Sequence, residues 1–138
     1  MRDLRIIITG DECFYDFRKL KTECLRVIAE ELKVVSENEK IDKEKILIVL
    51  GDNVGAETLG MQFAEMFDLK TKTFYKNFLL GTGALPTRNI EMVKYLLKTD
   101  KWYHTVLVVF TNGESLTTKN TVHWLDKLKY KKIISVDF

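Results

Sequence analysis

Four short segments of the chain carry side chains and glycines suited to holding an anionic small molecule. The segments are residues 10–14, 51–57, 88–89 and 112–118. Arg88 is the strongest candidate, because an arginine at a helix start can donate two hydrogen bonds to a phosphate or carboxylate while the helix dipole favours the same charge. A surface arginine that pairs with Glu91 would show the same pattern. We expect replacement of Arg88 by alanine to abolish ligand binding and to leave the fold intact.

Most other candidates have a structural interpretation beside the functional one. Glu57 can hold a ribose hydroxyl or interact with its own helix dipole, and the hydroxyls of residues 115–118 can contact a ligand or cap a helix. Asp11 and Glu12 are more typical of solvated turn residues, although Asp11 stays among the candidates. The predicted ligand-binding residues are Gly10, Asp11, Gly51, Asp52, Asn53, Gly55, Glu57, Arg88, Asn89, Gly113, Ser115, Thr117 and Thr118.

An alternation of strands and helices must bring these segments to one place. Apolar, β-branched runs predict five strands, and apolar residues at three- and four-residue intervals predict four helices between them. The predicted strands are residues 4–9, 46–50, 71–75, 105–110 and 133–136, and the predicted helices are residues 16–33, residues 55–67, one with Pro86 in its first turn and one that follows residues 111–115. Residues 36–44 predict a charged surface connection, and residues 76–87 a loop with sharp turns.

This alternation predicts one three-layer α/β domain over residues 1–138, with a Rossmann-like, five-stranded and mainly parallel sheet. The expected strand order is 3-2-1-4-5. In such a sheet, ligands bind beyond the carboxyl ends of the strands, at the point between strands one and four where the order reverses. All four candidate segments belong to that edge, so the order of the elements predicts one composite site.

Composition limits the classes of partner and cofactor. The 138 residues include 22 Lys and Arg against 20 Asp and Glu, a net charge of +2. With no global field for nucleic acid and no apolar run long enough to span a membrane, we expect a cytoplasmic protein without either partner. Cys13 and Cys24 show neither disulfide nor zinc-site spacing, so no metal is expected. Residues 51–60 lack a dinucleotide or P-loop fingerprint, which argues against NAD binding and ATP hydrolysis.

Four motifs follow one another along nearly the whole chain. They are Ile-Ile-Ile-Thr-Gly at residues 6–10, Gly-Asp-Asn-Val-Gly-Ala-Glu-Thr-Leu-Gly at 51–60, Gly-Ala-Leu-Pro-Thr-Arg-Asn-Ile-Glu-Met at 83–92, and Val-Phe-Thr-Asn-Gly-Glu-Ser-Leu-Thr-Thr at 109–118. In this order they resemble the YspA-like branch of the SLOG superfamily, Rossmann-like proteins related to the DprA and lonely-guy families. The Arg-Asn-x-x-Met element in the third motif is fairly specific, whereas the glycines alone are not.

The resemblance implies a pocket for a nucleotide or a nucleotide-derived ligand, and it implies a homodimer. The pocket residues that it implies are Gly51, Gly55, Glu57, Arg88, Asn89, Ser115 and Thr118. Three positions depart from the family pattern, since Asp52 replaces a glycine, Glu57 replaces an aspartate and Thr117 stands where glycine is expected. The Thr117 side chain would hinder close approach of a phosphate to the backbone, and Asp52 brings negative charge to the same region.

The lonely-guy relatives cleave the N-glycosidic bond of nucleoside monophosphates with a glutamate three residues after a Gly-Thr pair, and Thr121 occupies that position here. A hydroxyl cannot replace a carboxylate that stabilises developing positive charge or activates water. We therefore expect a nucleotide-binding protein, a sensor or sequestering module, that needs no cofactor. The alternatives are an N-glycosidase or phosphoribohydrolase, with Glu57 or Glu114 as the catalytic carboxylate, and a DNA-processing accessory protein.

Overall fold

The computed structural model describes residues 2–33, 42–128 and 131–138 and contains the predicted alternation of strands and helices. The strands are β1 (Asp3–Gly10), β2 (Ile46–Leu50), β3 (Lys70–Thr73), β4 (Tyr103–Phe110) and β5 (Lys131–Val136). The helices are α1 (Phe17–Glu31), α2 (Ala56–Met66), α3 (Ala84–Thr99) and α4 (Leu116–Leu125). Short 3-10 helices span Lys43–Lys45, Phe78–Gly83 and Asp100–Trp102.

The five strands form one sheet in the order β3-β2-β1-β4-β5, which confirms the predicted order. Every neighbouring pair is parallel, so the sheet is wholly rather than mainly parallel. The two longest strands, β1 and β4, lie side by side at the centre, where both faces of a parallel sheet are covered. The strand order reverses between them, and this places the switch point at the carboxyl ends of β1 and β4.

The two faces of the sheet bury separate clusters of apolar side chains. Because side chains alternate along a strand, Leu4, Ile6 and Ile8 of β1 face α1 and α2, whereas Ile7 faces α3 and α4. Arg5 and Thr9 share the face of Ile7, and both are buried. The centre of this face is therefore apolar, while each end of β1 carries a buried polar side chain.

The sequence prediction was least accurate between β3 and α3. Residues 76–87 were expected to form a loop, but Phe78–Gly83 is a 3-10 helix and α3 begins at Ala84, with Pro86 in its first turn as predicted. The third strand lies at Lys70–Thr73 instead of 71–75, because these residues pair with Leu47–Leu50 of β2. A turn at Gly81, with φ of 57°, separates the 3-10 helix into two parts.

The expected surface connection at 36–44 falls mostly outside the described residues, which include only positions 42–44 of it. There the Asp42 side chain accepts a hydrogen bond from the Glu44 amide and begins the 3-10 helix Lys43–Lys45. Within the described part of the chain, each helix is too short or too polar to cross a bilayer.

Candidate functional site

The carboxyl edge of the sheet brings the four candidate segments together, and Arg88 is the centre of the largest polar cluster there. Arg88 lies in the second turn of α3 and is 1% exposed. Its Nη1 donates to Glu57 Oε1 at 3.0 Å and to Asp52 Oδ1 at 3.3 Å. Its Nε and Nη2 donate to Asn89 Oδ1 at 3.2 and 2.9 Å. A phosphate can therefore reach this guanidinium only by displacing an acceptor that already holds it.

Glu57, in the first turn of α2, accepts hydrogen bonds at both carboxylate oxygens. The carboxylate is buried, with 1% of the residue exposed. Oε1 also accepts the Asn53 backbone N–H at 2.9 Å, and Oε2 accepts the Thr9 hydroxyl at 2.9 Å. Glu57 thus joins the end of β1, the loop after β2 and α3 through one side chain.

Gly51 permits this pairing at the end of β2. A Cβ atom at residue 51 would lie 2.2 Å from Arg88 Nη1 and 2.5 Å from Glu57 Oε1, distances that real Cβ atoms essentially never show. The absence of a side chain lets the guanidinium and the carboxylate meet directly above the strand end. The glycine is explained by close approach and not by an unusual backbone conformation.

Asp52 and Lys76 form the part of the cluster that reaches solvent, with side chains 15% and 14% exposed. The Lys76 backbone N–H donates to Asp52 Oδ2 at 2.9 Å, and Nζ lies 3.3 Å from Oδ1 and donates to Asn53 Oδ1 as well. Partial burial alone would raise the pKa of Asp52, but the amide and ammonium of Lys76 and the guanidinium of Arg88 hold it below its ordinary value. Two cations and two carboxylates leave the cluster formally neutral.

The cluster continues to α4 through Asn89. The Asn89 Nδ2 atom donates to Asn120 Oδ1 at 3.0 Å and to Thr121 Oγ1 at 3.2 Å. The Thr121 hydroxyl in turn donates to the Thr117 carbonyl at 3.1 Å. Thr121 therefore fixes α4 against the arginine cluster, at the position where the resemblance leads one to expect a catalytic glutamate.

Asp11 is the centre of a second cluster, and the expectation that it is a solvated turn residue is wrong. It is 1% exposed, and its carboxylate accepts the Asn112 backbone N–H at 2.9 Å and the Thr118 hydroxyl at 2.7 Å. Its carbonyl accepts the Ala56 N–H at 3.3 Å. Asp11 joins the loop after β1 to the loop after β4 and to the starts of α2 and α4, and these elements cover it. Asn112, Thr118 and Ala56 are 45 or more residues away in the sequence, so the local sequence does not reveal them as partners.

Ser115 and Gly55 place the two helix starts beside Asp11. Ser115 caps α4 by accepting the Thr118 N–H at 3.2 Å, and its hydroxyl donates to the half-buried carboxylate of Glu12 at 3.1 Å. Gly55, the residue before α2, has φ of 88°, and a Cβ there would lie 2.3 Å from the Asp11 carbonyl oxygen. The hydrogen bond from the Thr118 N–H to Ser115 confirms the capping interpretation of Ser115. At the start of α2, no side chain acts as a cap.

The predicted residues thus fall into two adjoining clusters at one edge. Gly51, Asp52, Asn53, Glu57, Arg88 and Asn89 belong to the arginine cluster, and Gly10, Asp11, Gly55, Ser115 and Thr118 surround the Asp11 cluster. Gly113 and Glu114 are exposed and outside both, and Thr117 contributes its carbonyl oxygen. Sequence reasoning missed Thr9, Lys76 and Asn120. Of these three, only Thr9 could have been identified from the sequence. It is a polar residue near the end of a buried strand at the switch point, where ligand-binding residues are expected.

A groove of ≈ 340 Å³ lies on the other side of α4, between that helix and the ends of β4 and β5. Thr118 and Gly113 line it together with the apolar side chains of Val109, Val122 and Ile133. Its volume is within the range of small-molecule sites. Within residues 2–33, 42–128 and 131–138, no three His, Cys, Asp or Glu side chains are arranged to hold a metal ion.

No family model, curated protein or solved structure matches this chain. The SLOG resemblance therefore stays a prediction that rests on the four motifs. Any functional conclusion has to be argued from the geometry of the carboxyl edge.

Proposed function

We propose that this protein binds a nucleotide or a nucleotide-derived small molecule at the carboxyl edge of its sheet and acts as a sensor or sequestering module for it. The observation that carries the proposal is the polar network around Arg88, which connects β1, the loop after β2, α2, α3 and α4 at the edge where this class of sheet holds ligands. Titratable groups with perturbed pKa values are concentrated at functional sites, and the pKa of Asp52 in this network lies below its ordinary value.

The network also has the chemistry that a nucleotide requires. Asp52 and Lys76 carry it from the buried Arg88–Glu57 pair to partly exposed positions, so that a cation for a phosphate group stands beside the Asn53 amide oxygen, which can accept from a ribose hydroxyl. The starts of α2 and α3 flank it, and neither has a side-chain cap. The first N–H of each helix donates to a backbone carbonyl, Ala56 to Asp11 and Ala84 to Gly81, and the positive end of each helix dipole still favours negative charge nearby.

Binding is favoured over hydrolysis by the state of Glu57. A general acid or nucleophile needs a carboxylate that can exchange protons or attack, whereas both Glu57 oxygens accept hydrogen bonds from buried donors. Glu114 is exposed and contacts neither cluster through its side chain. The hydrolase and DNA-processing alternatives therefore have no specific contact in their favour, and we do not propose them.

Calorimetric titration of the purified protein with mononucleotides, cyclic nucleotides and ADP-ribose tests the proposal directly. We expect a dissociation constant in the micromolar range for at least one phosphorylated ligand and much weaker binding of the matching nucleoside. Absence of binding below millimolar across the panel would refute the proposal. Chromatography of each mixture after long incubation adds a second readout, since release of free base or phosphate would replace binding by hydrolysis.

The proposal includes a cytoplasmic homodimer, which the family resemblance implies. Phe78 and Leu79, 76% and 94% exposed, stand beside Lys76 at the same edge and offer an apolar contact surface. Light scattering coupled to size-exclusion chromatography measures the mass directly. A mass of about 16 kDa at micromolar concentration would remove the dimer from the proposal.

A further inference from the structure

The Asp52 carboxylate occupies a position that resembles an anion-binding site. Three donors surround it: the Lys76 backbone N–H at 2.9 Å, Lys76 Nζ at 3.3 Å and Arg88 Nη1 at 3.3 Å. Two of these donors are cationic. Backbone amides, an ammonium and a guanidinium are the groups with which proteins bind phosphate oxygens.

The two carboxylates on Arg88 differ in how replaceable they are. Glu57 is 1% exposed and also accepts from Thr9 and from the Asn53 backbone, so its removal would leave buried donors without acceptors. Asp52 lies on the solvent side, and within the described part of the chain the donors that it satisfies belong to Lys76 and Arg88. An incoming anion with several oxygens can satisfy the same three donors.

We propose that Asp52 occupies an anion site formed by Lys76 and Arg88, and that a phosphate group of the ligand binds there by displacing the Asp52 carboxylate. The nucleotide part of this ligand rests on the proposed function, whereas the anion site rests on the three donors. With Asp52 in place, two cations face two carboxylates and the cluster is neutral. Once Asp52 swings into solvent, Arg88 and Lys76 face Glu57 alone, and the site has a net charge of +1 that attracts an anion.

The displaced carboxylate sets the selectivity of the site. Each ligand must replace the hydrogen bonds and the charge that Asp52 supplies. A phosphate dianion offers more charge and more acceptor oxygens than a carboxylate, so it competes better. Asp52 is therefore an internal competitor that lowers the affinity for every anion and excludes weak ones, and its neutralisation strengthens phosphate binding.

Titrations of inorganic phosphate, AMP and adenosine into the full-length protein, followed by calorimetry and by NMR amide shifts, test this inference. Asp52→Asn keeps the shape of the side chain and removes its charge, and we expect it to bind phosphate and AMP roughly tenfold or more tightly than the wild type. Adenosine affinity should not change. Asp68→Asn is the matched control, because it changes the net charge equally at a side chain that is 92% exposed and lies after α2, away from the cluster.

The double variant Asp52→Asn/Lys76→Gln provides the decisive comparison. We expect it to lose the gain in affinity, because one of the two cations of the site is gone. Equal phosphate affinity in Asp52→Asn, Asp68→Asn and the wild type would overturn the inference, as would a gain that survives Lys76→Gln. Urea unfolding of each variant establishes that the titrated protein is folded.

The two proposals fail in different ways. If Asp52→Asn gains phosphate affinity in a Lys76-dependent manner but no nucleotide binds better than phosphate, the anion site stands and the nucleotide function fails. If the wild type binds a nucleotide and Asp52→Asn changes nothing, the function stands and the role of Asp52 fails.

Discussion

Two buried arginines lie at opposite edges of the same sheet, and they are held in different ways. Arg5, at the amino edge, is 0% exposed and donates to Thr105 Oγ1 at 3.0 Å, to Thr99 Oγ1 at 2.7 Å and to the Leu96 carbonyl at 3.3 Å. Among the residues that the structure describes, its carboxylate partner is Asp100. Burial lowers the pKa of the Arg5 guanidinium, although Asp100 opposes this effect.

Under the proposed function, this difference separates a structural cluster around Arg5 from a ligand site around Arg88. The partners of Arg5 come from the end of α3, the residue after it and β4, and most of them are neutral, so the cluster fastens a helix end to the sheet. Arg88 meets two carboxylates from different elements, and the second of these, Asp52, requires Lys76 to balance it. The Arg5 cluster fixes the other end of α3 with one carboxylate. The extra ion pair at the solvent side is what a ligand can exchange with.

The largest expected effect is the loss of Arg88. Arg88→Met should lower the free energy of unfolding by about 3 to 5 kcal/mol, because it leaves Glu57 buried without a cation. Urea unfolding at pH 7 measures this. The burial of Arg88 thereby replaces the expectation from sequence that its removal leaves the fold intact.

A partner substitution separates charge from packing in that experiment. In Arg88→Met/Glu57→Gln the uncompensated carboxylate is gone, so part of the lost stability should return. A single variant that loses less than about 1 kcal/mol would show that Glu57 finds other compensation and that Arg88 is not the centre of the cluster.

Loss of the other arginine should cost less. Arg5→Met leaves Asp100, whose side chain is 11% exposed and can draw on water, so we expect a loss of about 2 to 4 kcal/mol by urea unfolding. Under the proposed function, this variant should bind nucleotide as the wild type does under conditions where it is folded. Loss of binding in folded Arg5→Met would contradict the division into a structural edge and a ligand edge.

Substitution of two glycines tests the Arg88 cluster with a smaller expected change in the free energy of unfolding. Gly51→Ala places a Cβ 2.2 Å from Arg88 Nη1, so the ion pair must shift, and we expect a loss of about 1 to 3 kcal/mol. Gly83→Ala is the control, since its Cβ would meet Leu80 Cβ at 4.0 Å and the backbone is αR. The control should be neutral or slightly stabilising when both variants are compared by urea unfolding. Equal losses in both would mean that close approach at Gly51 is not required.

The fold was more predictable than the site because it depends on local patterns. β2 was predicted at residues 46–50 and lies at Ile46–Leu50, since a continuous apolar run between a charged stretch and a glycine has few alternatives. The order of the strands was expected because 3-2-1-4-5 is a common arrangement for alternating strands and helices with right-handed crossovers. The 3-10 helix at Phe78–Gly83 was missed because its apolar residues are exposed and give no periodic signal.

The pairings within the clusters could not be predicted, because they join residues that are distant in sequence. Arg5 appeared as one charge in an apolar run, and its acceptors lie 91 to 100 residues away. Arg88 was identified, but its pairing with Glu57 and with Asp52 depends on how α2 and α3 meet above β2. Lys76 gave no signal, since a lysine in a predicted loop is ordinarily solvated.

The smallest expected effect concerns acid pH and isolates Asp52. Its pKa in the folded protein lies below its ordinary value, so the carboxylate contributes stability that is present above the unfolded-state pKa of about 3.9 and is lost as the pH falls through the folded-state pKa. Asp52→Asn lacks this contribution at every pH. The difference in unfolding free energy between wild type and Asp52→Asn should therefore be largest near pH 6 and shrink from about pH 4 downwards.

Urea unfolding at pH 6, 4 and 3 measures this difference, with Asp68→Asn as a control that shows a smaller change. A difference that grows on acidification would mean that Lys76 and Arg88 do not stabilise the Asp52 carboxylate. The ion pairs on the solvent side of the Arg88 cluster would then contribute nothing that distinguishes it from the Arg5 cluster.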